Sequence, residues 1–361
     1  MTEPKSGEPG WGKDPGKDPG EEPGKDPGRE PEPGAAAEAP FSVVILAAGK
    51  GTRMRSELPK MLHEAAGAPL LEHVLRAVEP LMPSKTVVIV GHGGQLVKER
   101  FAERAASGDL EFVEQRELLG TGHALLQARE ALAGAPGCVV VLNGDGPLVA
   151  TATVAGLVAA QGDRAGMTLV TSVVSDPAGL GRIRRDERGN VVGVVEHKDA
   201  TAEQLALKEI NPGIYAFDAD VFEFCSQLSD DNAQGEYYIT ELLEFYLRAG
   251  RPVRDVRVDD ELEILAVNDR EELARVDKAL RDRARRRWLL AGVTMIAPDQ
   301  VFIDDDVKLG RDVVLHPGVH LLDGTSVADG AVVGPGAVLS GCVISAGASV
   351  PAHSVARGET F

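Results

Sequence analysis

Residues 42–60 read Ser-Val-Val-Ile-Leu-Ala-Ala-Gly-Lys-Gly-Thr-Arg-Met-Arg-Ser-Glu-Leu-Pro-Lys, and this stretch decides the fold. The run Val43, Val44, Ile45 and Leu46 is β-branched and aliphatic, is short, and is apolar at consecutive positions, as a strand covered on both faces must be. A turn of small residues follows, Ala47-Ala48-Gly49-Lys50-Gly51-Thr52. Glycines let a ligand approach the backbone, and successive amides in such a turn form a concave nest for an anion. Arg53 and Lys60 place two cations near it, which suits a polyphosphate. By itself, Gly-x-Gly is more often a plain turn. Two common phosphate loops are excluded. No Gly-Lys-Ser/Thr follows four residues after the first glycine, and Met54 stands where a dinucleotide fingerprint needs its third glycine.

Outward from this stretch, short apolar runs alternate with amphipathic ones. Strands are expected at 42–46, 86–90, 139–142 and 167–174, with a helix carrying Leu70, Leu71, Val74, Leu75 and Val78 between the first two. Such alternation predicts an α/β fold with a doubly wound, mainly parallel, Rossmann-like sheet. Ligands of such sheets bind beyond the carboxyl ends of the strands, so the loops after 46, 90 and 142 are where chemistry is sought. The last of these is Asn143-Gly144-Asp145-Gly146-Pro147-Leu148. A lone Asp-Gly is a turn or a helix cap. Beside a polyphosphate nest, the Asp145 carboxylate reads better as a ligand of Mg²⁺, which is held by one or two protein oxygens together with substrate phosphates.

Leu46 to Met54, followed by Leu58-Pro59-Lys60, resembles without a gap the signature of sugar-1-phosphate nucleotidyltransferases. Its Ala-Ala form is similar to the N-acetylhexosamine branch. The resemblance implies that Leu46, Ala47, Ala48, Gly49 and Lys60 contact the nucleotide, with Asn143, Gly144 and Asp145 beside them. Some members carry an aromatic residue at the place of Asn143, so its contact stays open. The resemblance further implies that Gln115 holds a uracil edge, its amide offering both a donor and an acceptor. Gly120 and Thr121 would make backbone contacts, and His123 would be structural. Gly179-Leu180-Gly181-Arg182, Val195-Glu196-His197-Lys198 and Glu209-Ile210-Asn211-Pro212-Gly213 extend the match, assigning Gly181, Glu196 and Asn211 to the sugar. Asn268 matches a second magnesium ligand; its plain reading is a helix N-cap, and the two are compatible. Asn232 to Glu241 reads as architecture closing the sugar side.

Residues 269–291 predict a helix with Leu273, Val276, Leu280, Ala284 and Trp288 along one stripe. Its arginines, Arg281, Arg283 and Arg285 to Arg287, are expected on a solvated face. Beyond 300 the period changes to six. Ile303, Leu309, Leu315, Leu321, Val327, Val333 and Leu339 recur at that spacing, Ile344 slips by one and Val350 resumes. This is a hexapeptide repeat, the mark of a parallel β-helix of about three coils, and it resembles the left-handed form of acyltransferases.

The expected organisation is a low-complexity tail over 1–40, a nucleotidyltransferase domain over 41–268, a linker helix over 269–291 and a short β-helix over 292–361. The tail repeats Gly-Lys-Asp-Pro and has too few apolar side chains to repay ordering. The net charge of −18 over 361 residues disfavours non-specific binding to nucleic acid or anionic membranes. Three scattered cysteines supply no disulfide framework, no apolar run reaches membrane-spanning length, and a cytoplasmic protein is expected.

Residues 41–355 as a whole resemble the bacterial bifunctional N-acetylglucosamine-1-phosphate uridylyltransferase / glucosamine-1-phosphate acetyltransferase family. That implies transfer of uridylyl from UTP to N-acetyl-α-D-glucosamine 1-phosphate, for cell-envelope precursors. Asp145 and Asn268 would hold Mg²⁺, Lys60 would serve the α-phosphate and Arg53 the departing pyrophosphate. A homotrimer through the β-helix is implied as well. The longer β-helix and catalytic histidine of the acetyltransferase half find no counterpart before Phe361, so that activity is expected to be absent. Two rivals stay open: a nucleotidyltransferase for another sugar or base, and a non-catalytic sugar-nucleotide sensor or scaffold.

Overall fold

The computed structural model describes residues 39–361 apart from Asp163. The tail expected over 1–40 lies almost wholly outside the described residues.

Strand Phe41–Ala47 is the axis of a 10-stranded sheet. Phe41, Val43, Ile45 and Ala47 point into one apolar core and Val44 into the other, so both faces are covered. That is why its sequence does not alternate. The first core takes the apolar stripe of helix Leu70–Val78, namely Leu71, Val74, Leu75 and Val78, together with Val154, Leu157 and Val158 of helix Thr151–Gln161. The second takes Leu125 from helix Thr121–Gln127 and Leu242, Leu243 and Tyr246 from the 242–248 helix. Each such fully buried side chain contributes roughly 1.5–3 kcal/mol.

Four strands are parallel, in the order Glu111–Glu114, Lys85–Val90, Phe41–Ala47, Cys138–Asn143. Register aligns their carboxyl ends: Ala47 faces Val90, Leu46 faces Asn143 and Val90 faces Glu114. The loops at 48–60, 91–93, 115–120 and 144–148 therefore leave the sheet at one edge. Beyond Cys138–Asn143 the sheet becomes antiparallel through Tyr215–Phe217, Met167–Val173, Glu209–Asn211, Gly181–Arg185 and Val191–Val195, while Val253–Val258 runs parallel to Met167–Val173. A short turn joins Gly181–Arg185 to Val191–Val195, whereas helix Thr151–Gln161 carries the chain from Cys138–Asn143 to Met167–Val173, which is not its neighbour in the sheet. Asn211 pairs with Gly181, and the 212–214 turn delivers Tyr215 beside Val141.

Helix Arg270–Leu290 follows, with Asp269 as its N-cap: the Asp269 carboxylate accepts from the backbone amides of Glu271 and Glu272, both at 2.9 Å. Asn268 is therefore not the cap, and its side chain is free for other contacts. The arginines also depart from expectation. Arg281 pairs with Asp277 and Asp304, Arg283 donates to the Leu148 carbonyl at 2.9 Å, and the buried Arg285 donates to the Val301 carbonyl at 3.1 Å. A carboxylate and two carbonyls brought over by other segments turn part of this face into a set of struts, although Arg283, Arg286 and Arg287 stay exposed.

The C-terminal strands are two or three residues long and stack into three parallel sheets of four, four and three strands. Each contributes inward residues to a ladder: Met295, Leu315, Val333 and Val350 on one face, Ile303, Leu321, Leu339 and Ala356 on the next, Leu309, Val327 and Ile344 on the third. The stack thus exceeds three coils by two rungs. Met295 escapes the six-residue count because the Pro298–Gln300 turn intervenes, and Ala356 because it is not branched.

The first coil and helix Arg270–Leu290 are both tied to residues 66–76 of the preceding half. Asp305 N donates to the Ala66 carbonyl at 3.1 Å, Asp305 pairs with Arg76 at 2.8 Å, and Ala66 N donates to Asp277 at 2.8 Å.

Candidate functional site

The turn after the first strand approaches Lys60 very closely. Gly51 has φ +58, and a Cβ placed on it would lie 2.9 Å from the Lys60 Cβ. Only glycine gives both that backbone and that approach without strain. The short turn Thr52–Met54 follows, closed by Met54 N to Gly51 O at 2.9 Å, with the Met54 side chain buried against Val267 and Val276. Arg53 stands exposed on this turn, and no ion pair engages it among the described residues.

Lys60 points the other way. Its Nζ pairs with the Asp145 carboxylate and lies 3.4 Å from Asn268 Oδ1. Asp145 is brought by the loop after Cys138–Asn143, where Gly144 N donates to the Leu46 carbonyl at 2.9 Å. Asn268 is brought by a segment whose Val267 amide donates to the Asp145 carbonyl at 2.8 Å. Glu272 accepts from the Asn268 amide at 2.6 Å and fixes its backbone. Three separate segments therefore meet, and two oxygen ligands face one ammonium group. Among the described residues no cluster of three or more His, Cys, Asp or Glu is arranged to hold a metal. Two oxygens around a cation do fit a divalent ion that completes its shell with phosphate and water.

A second arm begins at Gln115, buried at the end of Glu111–Glu114, with its backbone amide on the Val90 carbonyl at 2.8 Å. Its Nε2 donates to the Gly120 carbonyl at 3.1 Å and lies 3.0 Å from His123 Nδ1. One amide hydrogen is thus engaged by a carbonyl, and the direction of the second contact follows the His123 tautomer. The amide oxygen remains. An open cleft lined by Lys50, Gly91, His92, Glu114, Gln115 and Leu118 lies alongside. Gly120, at φ +106, packs on the Tyr237 backbone, and Thr121 Oγ1 accepts from the Ile239 amide at 3.1 Å. Here the 232–241 segment closes onto the loop.

The third arm carries Gly181, Glu196 and Asn211. Gly181 and Asn211 face each other across neighbouring strands, and a Cβ on Gly181 would lie 3.6 Å from a Glu196 carboxylate oxygen. Asn211 Nδ2 donates to the Tyr215 hydroxyl at 2.5 Å, and Asn211 Oδ1 accepts from the Gly213 amide at 3.2 Å. Burial pushes the Glu196 carboxyl above its ordinary value, with the Asp199 and Glu236 charges adding to the rise and the Thr240 hydrogen bond opposing it. Asn143 joins this arm to the Asp145 loop by donating to the Pro212 carbonyl at 3.0 Å.

Three functional contacts escaped the sequence reading. Thr240 donates to Glu196 at 3.0 Å, so the segment read as architecture also touches a sugar candidate. Arg270 reaches back from the helix start to the Met54 carbonyl at 3.3 Å and to His63 Nδ1 at 3.2 Å, bracing the Arg53 turn. His123 belongs to the Gln115 network. No local spacing signals any of the three.

The nucleotidyl transferase family model matches residues 42–288, and the six-repeat bacterial transferase hexapeptide model matches residues 306–341. The chain is similar to the bifunctional protein GlmU of Solibacter usitatus, 46% identical over 269 residues that make up 73% of this chain and 57% of the relative. It is 44% identical over 263 residues to the bifunctional protein GlmU of Heliobacterium modesticaldum, covering 72% of this chain and 56% of the relative. A 43% identity to the bifunctional protein GlmU of Listeria monocytogenes spans 73% and 57% respectively. The matched part of the chain thus spans less than two thirds of these curated relatives. Among the described residues no helix is long and apolar enough to cross a membrane.

Proposed function

The chain belongs to the nucleotidyl transferase family, and on that premise we propose that it transfers uridylyl from UTP to N-acetyl-α-D-glucosamine 1-phosphate, giving UDP-N-acetylglucosamine and pyrophosphate. The observation that carries the reading is the meeting of Lys60 with Asp145 and Asn268, 85 and 208 residues away in sequence.

In this reading the sugar phosphate is its own nucleophile. A phosphate monoester with a second pKa of about 6 is already ionised at neutral pH, so no general base is needed. Its oxygen bonds to the α-phosphorus as the bond to the β-phosphate oxygen breaks, and pyrophosphate leaves with that electron pair. Catalysis is positioning and charge stabilisation. Lys60 exchanges its contact with Asp145 for the α-phosphate. Arg53, exposed and without an ion pair among the described residues, meets the leaving pyrophosphate, and the Ala47 to Gly51 turn cradles the polyphosphate. Asp145 and Asn268 hold Mg²⁺, which when bound neutralises charge on the phosphates. Leu46, Ala47, Ala48, Gly49, Gln115, Gly120, Thr121, Asn143 and Gly144 line the nucleotide, and Gly181, Glu196 and Asn211 the sugar. Assembly as a homotrimer through the β-helix and residence in the cytoplasm belong to the same proposal. So do the domain limits 41–268, 269–291 and 292–361.

The test is pyrophosphate release from UTP with N-acetylglucosamine, glucosamine and glucose 1-phosphates in turn, with Mg²⁺ and with chelator. Release that depends on metal and prefers the N-acetylated sugar supports the reading. Preference for another acceptor moves the activity to a different sugar. Binding of UDP-N-acetylglucosamine without any turnover makes the protein a sensor.

A further inference from the structure

The uridylyl reading leaves open what makes the site choose uracil over the other pyrimidine, and the chemistry around Gln115 supplies an answer. A glutamine amide is ambiguous by itself. Turned one way it presents oxygen to a ligand, turned the other way nitrogen, and a freely rotating amide discriminates poorly between bases of opposite polarity.

Here the amide is held from two sides. The Gly120 carbonyl, 3.1 Å from Nε2, can only accept, so it favours the nitrogen end. The second hydrogen on Nε2 is directed at His123 Nδ1, 3.0 Å away. A neutral imidazole that accepts at Nδ1 carries its proton on Nε2. Gln127 Nε2 lies 3.1 Å from that nitrogen, so this tautomer requires the partly buried Gln127 amide to turn its oxygen there. That turn gives up the 3.1 Å bond from Gln127 Nε2 to the His123 carbonyl, a smaller loss at a partly exposed side chain than stranding a hydrogen on the buried Gln115. The opposite tautomer would set Nδ1–H against an amide hydrogen of Gln115, which is 3% exposed and has no room to compensate. The Tyr237 ring, centroid 6.3 Å away, flanks the imidazole.

We propose that His123 is a positioning residue that fixes base choice by locking the Gln115 amide with its oxygen toward the ligand. Resting on the uridylyl reading, the inference goes beyond it by naming how cytosine is refused. The locked oxygen accepts from the N3–H of uracil and repels the N3 lone pair of cytosine. Without the imidazole the amide keeps only its Gly120 bond, turns more readily to give a hydrogen to cytosine N3 and accept from its N4 amino group, and the discrimination weakens.

The experiment is kcat/KM for UTP and CTP, at saturating N-acetylglucosamine 1-phosphate and Mg²⁺, in the full chain and in His123→Ala, His123→Leu and His123→Asn. The asparagine oxygen stands the same two bonds from Cβ as Nδ1 and accepts the same hydrogen. The ratio is taken within each preparation, so a loss of folded protein cancels. With one discriminating hydrogen bond removed, the UTP:CTP ratio falls about tenfold in the alanine and leucine variants and returns in the asparagine variant. An unchanged ratio in the alanine and leucine variants overturns the inference, and so does an equal fall in all three. Active enzyme with an unchanged ratio removes this inference alone, whereas wild-type protein that turns over neither nucleotide removes the uridylyl reading and takes the inference with it.

Discussion

Replacing Gly51 by alanine tests the phosphate turn at its tightest point. At φ +58 an L-residue sits in the left-handed region, which costs about 1–2 kcal/mol. The new methyl would also lie 2.9 Å from the Lys60 Cβ, an atom close to the backbone that cannot swing aside as the end of a flexible side chain can. Lys60 must shift, and with it the ammonium that meets Asp145 and Asn268. A charge-assisted contact is worth about 1.5–3 kcal/mol, so kcat/KM should drop about tenfold to a hundredfold, with about 1–3 kcal/mol lost in stability. Gly49→Ala is the companion. A Cβ there meets nothing within 4 Å, so its stability should stay within about 0.5 kcal/mol of wild type. Any activity it loses reports a ligand lying against the backbone. Urea unfolding and steady-state pyrophosphate release measure the two quantities. If Gly51→Ala matches wild type in both, the close approach of the turn to Lys60 does not matter to the protein and the reasoning fails.

Three further outcomes are expected. Asn268→Ala should raise the Mg²⁺ concentration for half-maximal activity about tenfold, and Asp145→Ala should depress turnover further because a charged ligand is lost; metal titration of the two variants checks the order. For Glu196, a carboxyl raised above 4.5 by burial makes the native state bind more protons than the unfolded one, so stability is full below the ordinary carboxyl range and declines as pH rises through the window up to the raised value. Glu196→Gln should therefore have a higher urea midpoint than wild type at neutral pH, a gap that closes on acidification, while its KM for the sugar phosphate rises. Arg281→Ala would strand the buried Asp304, which it contacts at 3.1 Å, and should cost about 3–5 kcal/mol, whereas Lys278→Ala, in an exposed pair with Asp282, should cost no more than about 0.5 kcal/mol by thermal or urea unfolding.

Much of the fold was legible because burial leaves a direct mark on sequence. Val43 to Leu46 cannot be apolar at every position unless both faces are covered, and the six-residue recurrence from Ile303 to Leu339 has no reading other than stacked coils. The rungs at Met295 and Ala356 went unseen because an inserted turn and a small side chain interrupt the pattern that spacing detects. Arginines 281 to 285 looked solvated because charge in a helix normally is, and nothing local announces that Asp304 and the carbonyls of Leu148 and Val301 will arrive from elsewhere.

The site was legible unevenly for the same reason. The nest carries its own glycines, but the approach of Asn268 to Lys60 is a fact of tertiary structure, reachable beforehand only through the resemblance. The orientation of the Gln115 amide is more remote still. It follows from which atom of Gly120 and which nitrogen of His123 face it, and sequence spacing specifies neither.

The most direct measurement is the product itself: mass-spectrometric detection of UDP-N-acetylglucosamine formed from UTP and N-acetylglucosamine 1-phosphate with Mg²⁺, wild type beside Asp145→Ala. The account predicts product in step with pyrophosphate from the wild type and a loss of at least a hundredfold in the variant, as expected when a charged group at the reacting phosphates is removed. Product formed equally well by Asp145→Ala, or none from folded wild-type protein, would contradict it.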